Sequence, residues 1–394
     1  MKPKNIPQLY IIKLSKWLML TMPIVFLFYQ ENGLGTQELF ILKAVYSLAI
    51  VLLEIPSGYI GDLWGRKNSM IIGSLLGTAG FGVYCFASGF YGFLIAEIVL
   101  GIGQSFISGS DSALLYDSLN ASKKEGQYLK QEGRLISIGN YAEAIAAPIG
   151  VMLAVSSLRT PYFFQTLIAF AAVPAALSLW EPDRKRLSSG KTSSNMRAII
   201  KYAFVTNRQL KWNIIISSIA GTATLSMAWL VQPLFVHLAL PLALYGIFIP
   251  ILNLTTGTVS IYAHAFEKKA GFKNTLACLT IGIPAMYLAI GWFNALWALV
   301  FLLIFYTIRG VATPVLKNHI NVVTPSEIRA TVLSLRSLII RLAFVGLGPL
   351  LGWYADHSGL PSAMMAAGLV FLITGLIASS RLIHTDRLLK VIPF

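Results

Sequence analysis

Long apolar runs separated by short polar turns are the dominant pattern of this 394-residue chain. Each run approaches the roughly 20 predominantly apolar residues that a membrane-spanning helix needs. The pattern predicts twelve spanning helices, near residues 8–29, 38–61, 68–88, 92–115, 134–156, 161–180, 212–236, 241–265, 274–293, 295–316, 333–354 and 361–380. Because the turns are short, we expect no separate soluble domain.

The longest polar stretch divides the chain into two halves. It covers residues 181–211 and is rich in Arg, Lys and Ser. Within it, Met196 to Val205 predicts a short amphipathic helix that lies at the inner membrane interface. The predicted organisation is a six-helix bundle over 1–180, a cytoplasmic linker over 181–211, a second six-helix bundle over 212–380 and a cytoplasmic tail over 381–394.

Composition supports a membrane protein and explains the excess of positive charge. Apolar residues make up 56% of the chain and charged residues 12%, against about 25% charged residues in a soluble domain. The net charge is +15, but with both termini inside, the predicted outer loops carry a single basic residue, Arg159. This is the positive-inside bias that orients helices in a bilayer, so we expect membrane lipids as surroundings and no nucleic-acid partner.

The two halves share weak internal similarity. Ala147-Pro148-Ile149-Gly150 in helix 5 matches Gly348-Pro349-Leu350-Leu351-Gly352 in helix 11, and the segment after helix 4 matches the segment after helix 10. Two similar six-helix halves are typical of transporters with a binding site near the membrane midplane. The predicted fold is therefore all-α and integral to the membrane, with twelve transmembrane helices in two pseudo-symmetric six-helix bundles.

A short polar loop joins helices 2 and 3. Its sequence is Gly58-Tyr-Ile-Gly-Asp62-Leu-Trp-Gly65-Arg66-Lys67, and a decayed copy follows helix 8 at Phe266–Gly271. The spacing Gly-x3-Asp-x2-Gly-Arg-Lys resembles the signature loop of the major facilitator superfamily (MFS). The resemblance implies two bundles that rock against each other, and a gate that opens and closes between them. The implied gating residues are Gly58, Asp62, Gly65, Arg66, Lys67 and Asp117, the last as the acid that pairs with Arg66.

The glycines of this loop have an expected role, and two other helices depart from the family pattern. Gly58 and Gly65 are expected to allow close helix approach and a tight turn.

Helix 4 carries Glu97-x3-Gly101 where many proton-coupled exporters have Arg-x3-Gly. Because an acid replaces the base, the proton-handling role of that Arg is not assigned to Glu97. The antiporter signature of helix 5 survives only in part, which weakens export by antiport without excluding it.

Ionisable residues within the predicted spans are unevenly distributed. The first half contains Glu54, Glu97, Asp111 and Glu143 with Lys43, whereas the second contains Arg309, Arg336 and Arg341 and no acid. Charged groups in spanning helices cost about 2.5–3.5 kcal/mol on insertion scales and are functional candidates. For Glu97 we favour an interhelical pair, and for Arg336 a position near enough to the inner surface to snorkel.

The remaining candidates are ranked by their expected depth in the membrane. Glu143 and Arg341 are each expected roughly 13 Å from the inner ends of their helices, near the midplane. The proton-coupling candidates are Glu143, Glu54 and Asp111, although pairing for assembly stays open for Asp111. The substrate-binding candidates are Arg309, Arg341, Asn140, Gln104, Tyr46, Tyr141 and Trp229, and simple packing stays open for the aromatic residues.

These features favour a secondary active transporter that works by alternating access. The predicted substrate is a small amphipathic organic solute, such as a drug, a metabolite or a siderophore-like compound, including anionic ones. Proton-coupled export is favoured, with proton-coupled uptake of a small organic anion as the alternative, and a membrane enzyme or channel as less favoured classes. We expect no cofactor, no metal and no catalytic residue. The expected partners are the substrate, protons or another coupling ion, and lipids, for a monomer in a bacterial inner membrane with both termini cytoplasmic.

Overall fold

A computed structural model describes residues 5–124, 127–182, 192–325 and 328–391. Within these ranges the chain forms sixteen α-helices and no strand. The helices before residue 182 are α1 Asn5–Trp17, α2 Val25–Glu31, α3 Thr36–Trp64, α4 Arg66–Phe86, α5 Gly89–Ile107, α6 Ser110–Ala121, α7 Tyr128–Ala154, α8 Thr160–Phe170 and α9 Ala172–Leu177. Those after it are α10 Thr192–Lys201, α11 Arg208–His237, α12 Leu242–Ala270, α13 Phe272–Phe293, α14 Ala298–Val322, α15 Arg329–Ser358 and α16 Leu360–Val391.

The prediction of an all-α membrane protein is confirmed. Eleven helical segments of the described chain are long and apolar enough to cross a membrane, and each corresponds to one of the predicted spans. A bilayer favours this architecture because helices satisfy their backbone hydrogen bonds internally. The chain is a multi-pass integral membrane protein.

The helices group into two compact units. Unit 1 comprises Met1–Ser188 with Leu240–Pro250, and unit 2 comprises Ser189–Ala239 with Ile251–Phe394. Helix α12 therefore begins in unit 1 and continues in unit 2.

The first predicted span is interrupted, so the prediction of one helix over 8–29 is wrong. Helices α1 and α2 are separated by a non-helical segment over residues 18–24. Pro23 lies in this segment and has no N–H to donate. The backbone N–H of Leu20 donates instead to Gln165 Oε1 of α8 at 2.7 Å. A Cβ added to Gly150 of α7 would lie 2.0 Å from Leu20 O, so glycine is required where α7 meets this segment.

The fourth predicted span is also interrupted, and several ends differ from the prediction. Helix α5 stops at Ile107 and α6 starts at Ser110, with Gly109 at φ +79°, a conformation that favours glycine. Helix α7 begins at Tyr128 rather than near 134. Helix α16 continues to Val391 without a break, where a separate tail over 381–394 was expected; residues 392–394 lie outside the described chain.

The linker contributes a helix that belongs to unit 2. Helix α10 is followed by a π-helical turn, Tyr202–Thr206. Ile199 and Phe204 pack against a buried apolar cluster at the start of α11, the end of α14 and the start of α15. Ile200, which the sequence places on the same apolar side, remains 41% exposed. Residues 183–191 of the linker lie outside the described chain.

Candidate functional site

The polar loop of unit 1 joins α3 to α4 through a single residue, Gly65. Gly65 has φ +103°, so it makes the tight turn that the sequence predicts for it. Arg66 Nη1 donates a hydrogen bond to Asp117 Oδ2 of α6, and the two side chains form an ion pair. Both are largely shielded, with 22% and 20% of their side-chain surfaces exposed. The side chain of Asp62 lies outside the described part of the chain.

Glu181 is a second acid at this loop, and sequence reasoning missed its role. Its Oε1 accepts a hydrogen bond from Arg66 N at 3.0 Å, and its Oε2 accepts one from Lys67 N at 2.6 Å. A carboxylate here satisfies two free N–H groups and stabilises the positive end of α4. A Cβ on Gly65 would lie 3.2 Å from this carboxylate. The available signal was an acid directly after helix 6, at the start of an otherwise basic linker.

The close helix approach expected at Gly58 is absent. A Cβ added there would meet no described heavy atom within 4 Å. The close approach on this turn of α3 occurs instead at Gly61, where a Cβ would lie 2.8 Å from Ser69 Oγ.

The decayed loop copy in unit 2 retains the turn and a side-chain pair. Gly271, at φ +78°, separates α12 from α13 as Gly65 separates α3 from α4. His319 Nε2 of α14 and Glu267 Oε1 are hydrogen-bonded, and the Phe272 ring lies against His319 with centroids 4.8 Å apart. The acid is therefore supplied by the loop region here, whereas in unit 1 the loop supplies the base.

A buried polar cluster joins α2, α3, α4 and α5 within unit 1. Lys43 Nζ lies 2.5 Å from Glu97 Oε1, and the two residues are 7% and 2% exposed. The same carboxylate oxygen accepts hydrogen bonds from Tyr84 OH at 2.6 Å and Tyr29 OH at 3.1 Å. Glu97 thus forms the interhelical pair favoured for it. A charged pair at this depth requires such additional donors to be tolerated.

Asp111 lies beside a second carboxylate that the sequence did not single out. Asp111 Oδ2 is 3.8 Å from Lys13 Nζ of α1, and its Oδ1 accepts a hydrogen bond from Ser112 N at 2.8 Å. Ser112 Oγ donates to Glu132 Oε1 of α7 at 2.8 Å. Glu132 was missed because helix 5 was expected to begin after it.

The other candidates of unit 1 lie along α3, α5 and α7. Glu143 is half-buried, about 22 Å from Tyr128 and about 16 Å from Ala154 along α7. Its distance from the inner helix end is thus larger than the expected 13 Å, because α7 starts earlier, but it remains near mid-helix. Tyr46, Glu54 and Gln104 are half-buried, and Asn140 and Tyr141 are exposed. Helices α3 and α5 meet closely where Gly101 approaches Tyr46 O, so Tyr46, Glu54 and Gln104 belong to one packed helix pair.

The candidates of unit 2 are half-buried on three helices. Arg309 lies about 16 Å from the start of α14, with its guanidinium 5.1 Å from the Tyr306 ring centre. Arg341 lies about 18 Å from the start of α15, and Trp229 lies on α11. The expected 13 Å depth of Arg341 is corrected because α15 begins at Arg329.

Arg336 does not snorkel as expected. It is only 8% exposed, and its Nε donates a hydrogen bond to Ser217 Oγ of α11. Its guanidinium is thus held inside unit 2.

Comparison with known proteins decides the family. A family model described as Major Facilitator Superfamily matches residues 14–345. The chain belongs to the Major Facilitator Superfamily. Among solved structures, the MFS fold of this chain is similar to the nucleoside transporter NupG, with TM-score 0.74, 12% identity and coverage of 97% of this chain and 98% of that one. It is also similar to a D-xylose-proton symporter, with TM-score 0.67, 16% identity and coverage of 95% and 96%.

Curated MFS relatives match over part of their length. An uncharacterized MFS-type transporter of Methanocaldococcus jannaschii is 23% identical over 201 residues, which cover 50% of each chain. The quinolone resistance protein NorA of Staphylococcus aureus (strain MSSA476) is 20% identical over 208 residues, covering 53% of this chain and 50% of NorA. The chain therefore spans about half the length of the curated relatives that it matches. Both the transport activity and the substrate of this chain are therefore matters for proposal.

Proposed function

We propose that this MFS protein exports a small amphipathic organic solute in exchange for protons. The observation that supports this function best is the separation of charge. Unit 1 has Glu54 and Glu143 half-buried within its spans, whereas Arg309 and Arg341 are half-buried within the spans of unit 2. Charge within a bilayer is costly, so carboxylates at this depth are suited to take up and release protons.

In this proposal Glu143 is the principal coupling acid, and Glu54 and Asp111 assist proton movement. Arg309 and Arg341 bind an anionic or polar group of the solute, because a guanidinium donates paired hydrogen bonds to such groups. The exposed Tyr141 and half-buried Tyr46 contribute apolar surface for an amphipathic solute. Asn140, Gln104 and Trp229 complete the proposed binding surfaces of the two units.

The Arg66–Asp117 pair is the proposed gate. It joins the start of α4 to α6, and Glu181 stabilises the same helix end. We propose that Gly58, Asp62, Gly65 and Lys67 belong to this gate, which opens and closes as two six-helix bundles rock in alternation. Within a bacterial inner membrane, the basic linker and both termini of the proposed monomer face the cytoplasm.

Transport in proteoliposomes tests the coupling role. Purified protein is reconstituted with a quinolone as the probe, since half of the chain resembles a quinolone resistance protein. We expect an imposed pH gradient to drive uphill quinolone movement, and Glu143→Gln to abolish the pH-driven component. Glu31→Gln, which neutralises an exposed acid on α2, is the matched control and is expected to transport like the wild type. Full pH-driven transport by Glu143→Gln would exclude Glu143 as the coupling acid.

Uptake of a small organic anion is the second candidate function. It is favoured by the arginines in the described spans of unit 2, where no Asp or Glu accompanies them between Arg329 and Tyr354 or between Ala298 and Val322. Radiolabelled benzoate distinguishes the two functions. Accumulation of benzoate under an inward proton gradient supports uptake, whereas quinolone movement against the proton flow supports export.

A further inference from the structure

Arg336 carries a buried positive charge that no acid of the described chain balances. It is 8% exposed, and both of its hydrogen bonds go to one residue of α11. Nε donates to Ser217 Oγ, and Nη2 donates to Ser217 O at 3.5 Å. Among the described residues Nη1 has no partner. Buried charges are normally paired with an opposite charge, because the transfer of an isolated ion out of water is very costly.

A second cation increases this imbalance. Lys317 of α14 lies close enough to Arg336 to interact with it electrostatically. Arg336 lies about 10 Å from the start of α15, and Lys317 lies about 8 Å from the end of α14. Lys317 is itself exposed, so it adds positive potential near Arg336 rather than a second buried charge.

The direction of the Arg336 side chain argues against simple snorkelling. Its partner Ser217 is buried on α11, about 13 Å from the start of that helix. A snorkelling side chain would extend toward the nearer helix end and expose its charged group there. The guanidinium is instead fixed by a buried serine that is 0% exposed.

We propose that Arg336 and Ser217 form a binding site for a small monovalent anion in unit 2, with Lys317 adding to the positive potential. The anion accepts hydrogen bonds from the guanidinium donors that Ser217 leaves unused. Chloride and the carboxylate of an organic molecule share this chemistry. The site is separate from Arg341, which lies about 140° around the same helix. It does not depend on the direction or proton coupling of transport.

Anion-dependent stabilisation of the purified protein tests this site. The thermal unfolding midpoint is measured in chloride, formate, acetate and benzoate at equal ionic strength, with sodium gluconate as the reference because its long polyhydroxylated chain is unlike the small anions that the site is proposed to bind. A ligand that binds only the folded state raises the midpoint as its concentration increases. We expect a saturable rise with at least one of the small anions relative to gluconate, and no such rise in Arg336→Gln. Arg381→Gln, which removes an exposed arginine from α16, is expected to retain it.

Two further variants keep the test decisive if Arg336→Gln does not fold. Ser217→Ala removes the hydroxyl that positions the guanidinium and is expected to weaken the apparent anion affinity about tenfold or more. Arg336→Lys keeps the charge but loses the planar set of donors, and should weaken carboxylates more than chloride. A response to chloride alone identifies an inorganic counter-ion, whereas a response to carboxylates identifies an organic anion. Equal midpoints in all five salts, or an unchanged response in both Ser217→Ala and Arg336→Lys, would overturn the proposal.

Discussion

Replacing Lys43 by Met should destabilise unit 1 strongly. The Glu97 carboxylate would remain buried with only the hydroxyls of Tyr29 and Tyr84 as described partners, in place of an ammonium 2.5 Å away. Removal of one member of a buried ion pair costs about 3–5 kcal/mol, because the other charge is left uncompensated. We expect this loss in the free energy of unfolding of Lys43→Met. The double variant Lys43→Met/Glu97→Gln should lose less than Lys43→Met alone, because it contains no unpaired buried charge.

Reversible unfolding in lipid bicelles measures these free energies. Lys13→Met is the matched control, since Lys13 lies 3.8 Å from Asp111 and both side chains are more exposed, at 18% and 19%. Its expected cost is smaller than that of Lys43→Met, because the Lys13–Asp111 pair is longer and both partners stay partly accessible to solvent, which screens their interaction. If Lys43→Met cost no more than Lys13→Met, or if the double variant lost at least as much as Lys43→Met, the reasoning about the buried pair would be refuted.

Two further predictions concern backbone contacts within unit 1. Gly150→Ala would place a Cβ 2.0 Å from Leu20 O, so we expect a large loss of monodisperse protein in size-exclusion chromatography, whereas Gly58→Ala, whose Cβ meets no described atom within 4 Å, should fold like the wild type. Equal yields from the two variants would contradict this. Glu181→Ala removes the acceptor of two N–H groups at the start of α4 and should cost about 1–2 kcal/mol, seen as a lower thermal midpoint. Glu31→Ala on α2 is its control, and an equal midpoint in both would argue against the capping role.

The continuous spanning helices could be predicted from sequence because a bilayer demands long apolar segments. The interruptions in the first and fourth spans could not. Residues 18–24 are as apolar as a helix requires, but their backbone is stabilised by Gln165, which lies 145 residues away from Leu20 along the chain. Local periodicity contains no information on such a distant hydrogen bond. The break at Gly109 depends on one glycine at positive φ, and glycines are too common inside spanning helices for its position alone to predict a break.

In the candidate site, too, features carried by a local motif could be predicted, whereas features that depend on residues far away in the sequence could not. The Arg66–Asp117 pair could be expected because the loop spacing resembles a known family motif. The role of Glu181 could not, because it binds backbone N–H groups, which every residue but proline has. The depth of Arg336 could be estimated from its position, but its burial depends on Ser217, 119 residues earlier.

The interrupted first span has a consequence for the order in which the protein assembles during synthesis. At about 20 Å and about 10 Å, α1 and α2 are each shorter than the roughly 30 Å hydrocarbon layer, and between them the backbone N–H of Leu20 is satisfied by Gln165 rather than within its own turn. The groups that shelter this segment, Gly150 and Gln165, are made more than 120 residues later. The N-terminal segment therefore cannot reach its final form when it leaves the ribosome. It must stay at the translocon, or insert into the membrane in another helical conformation, until α7 and α8 have been synthesised.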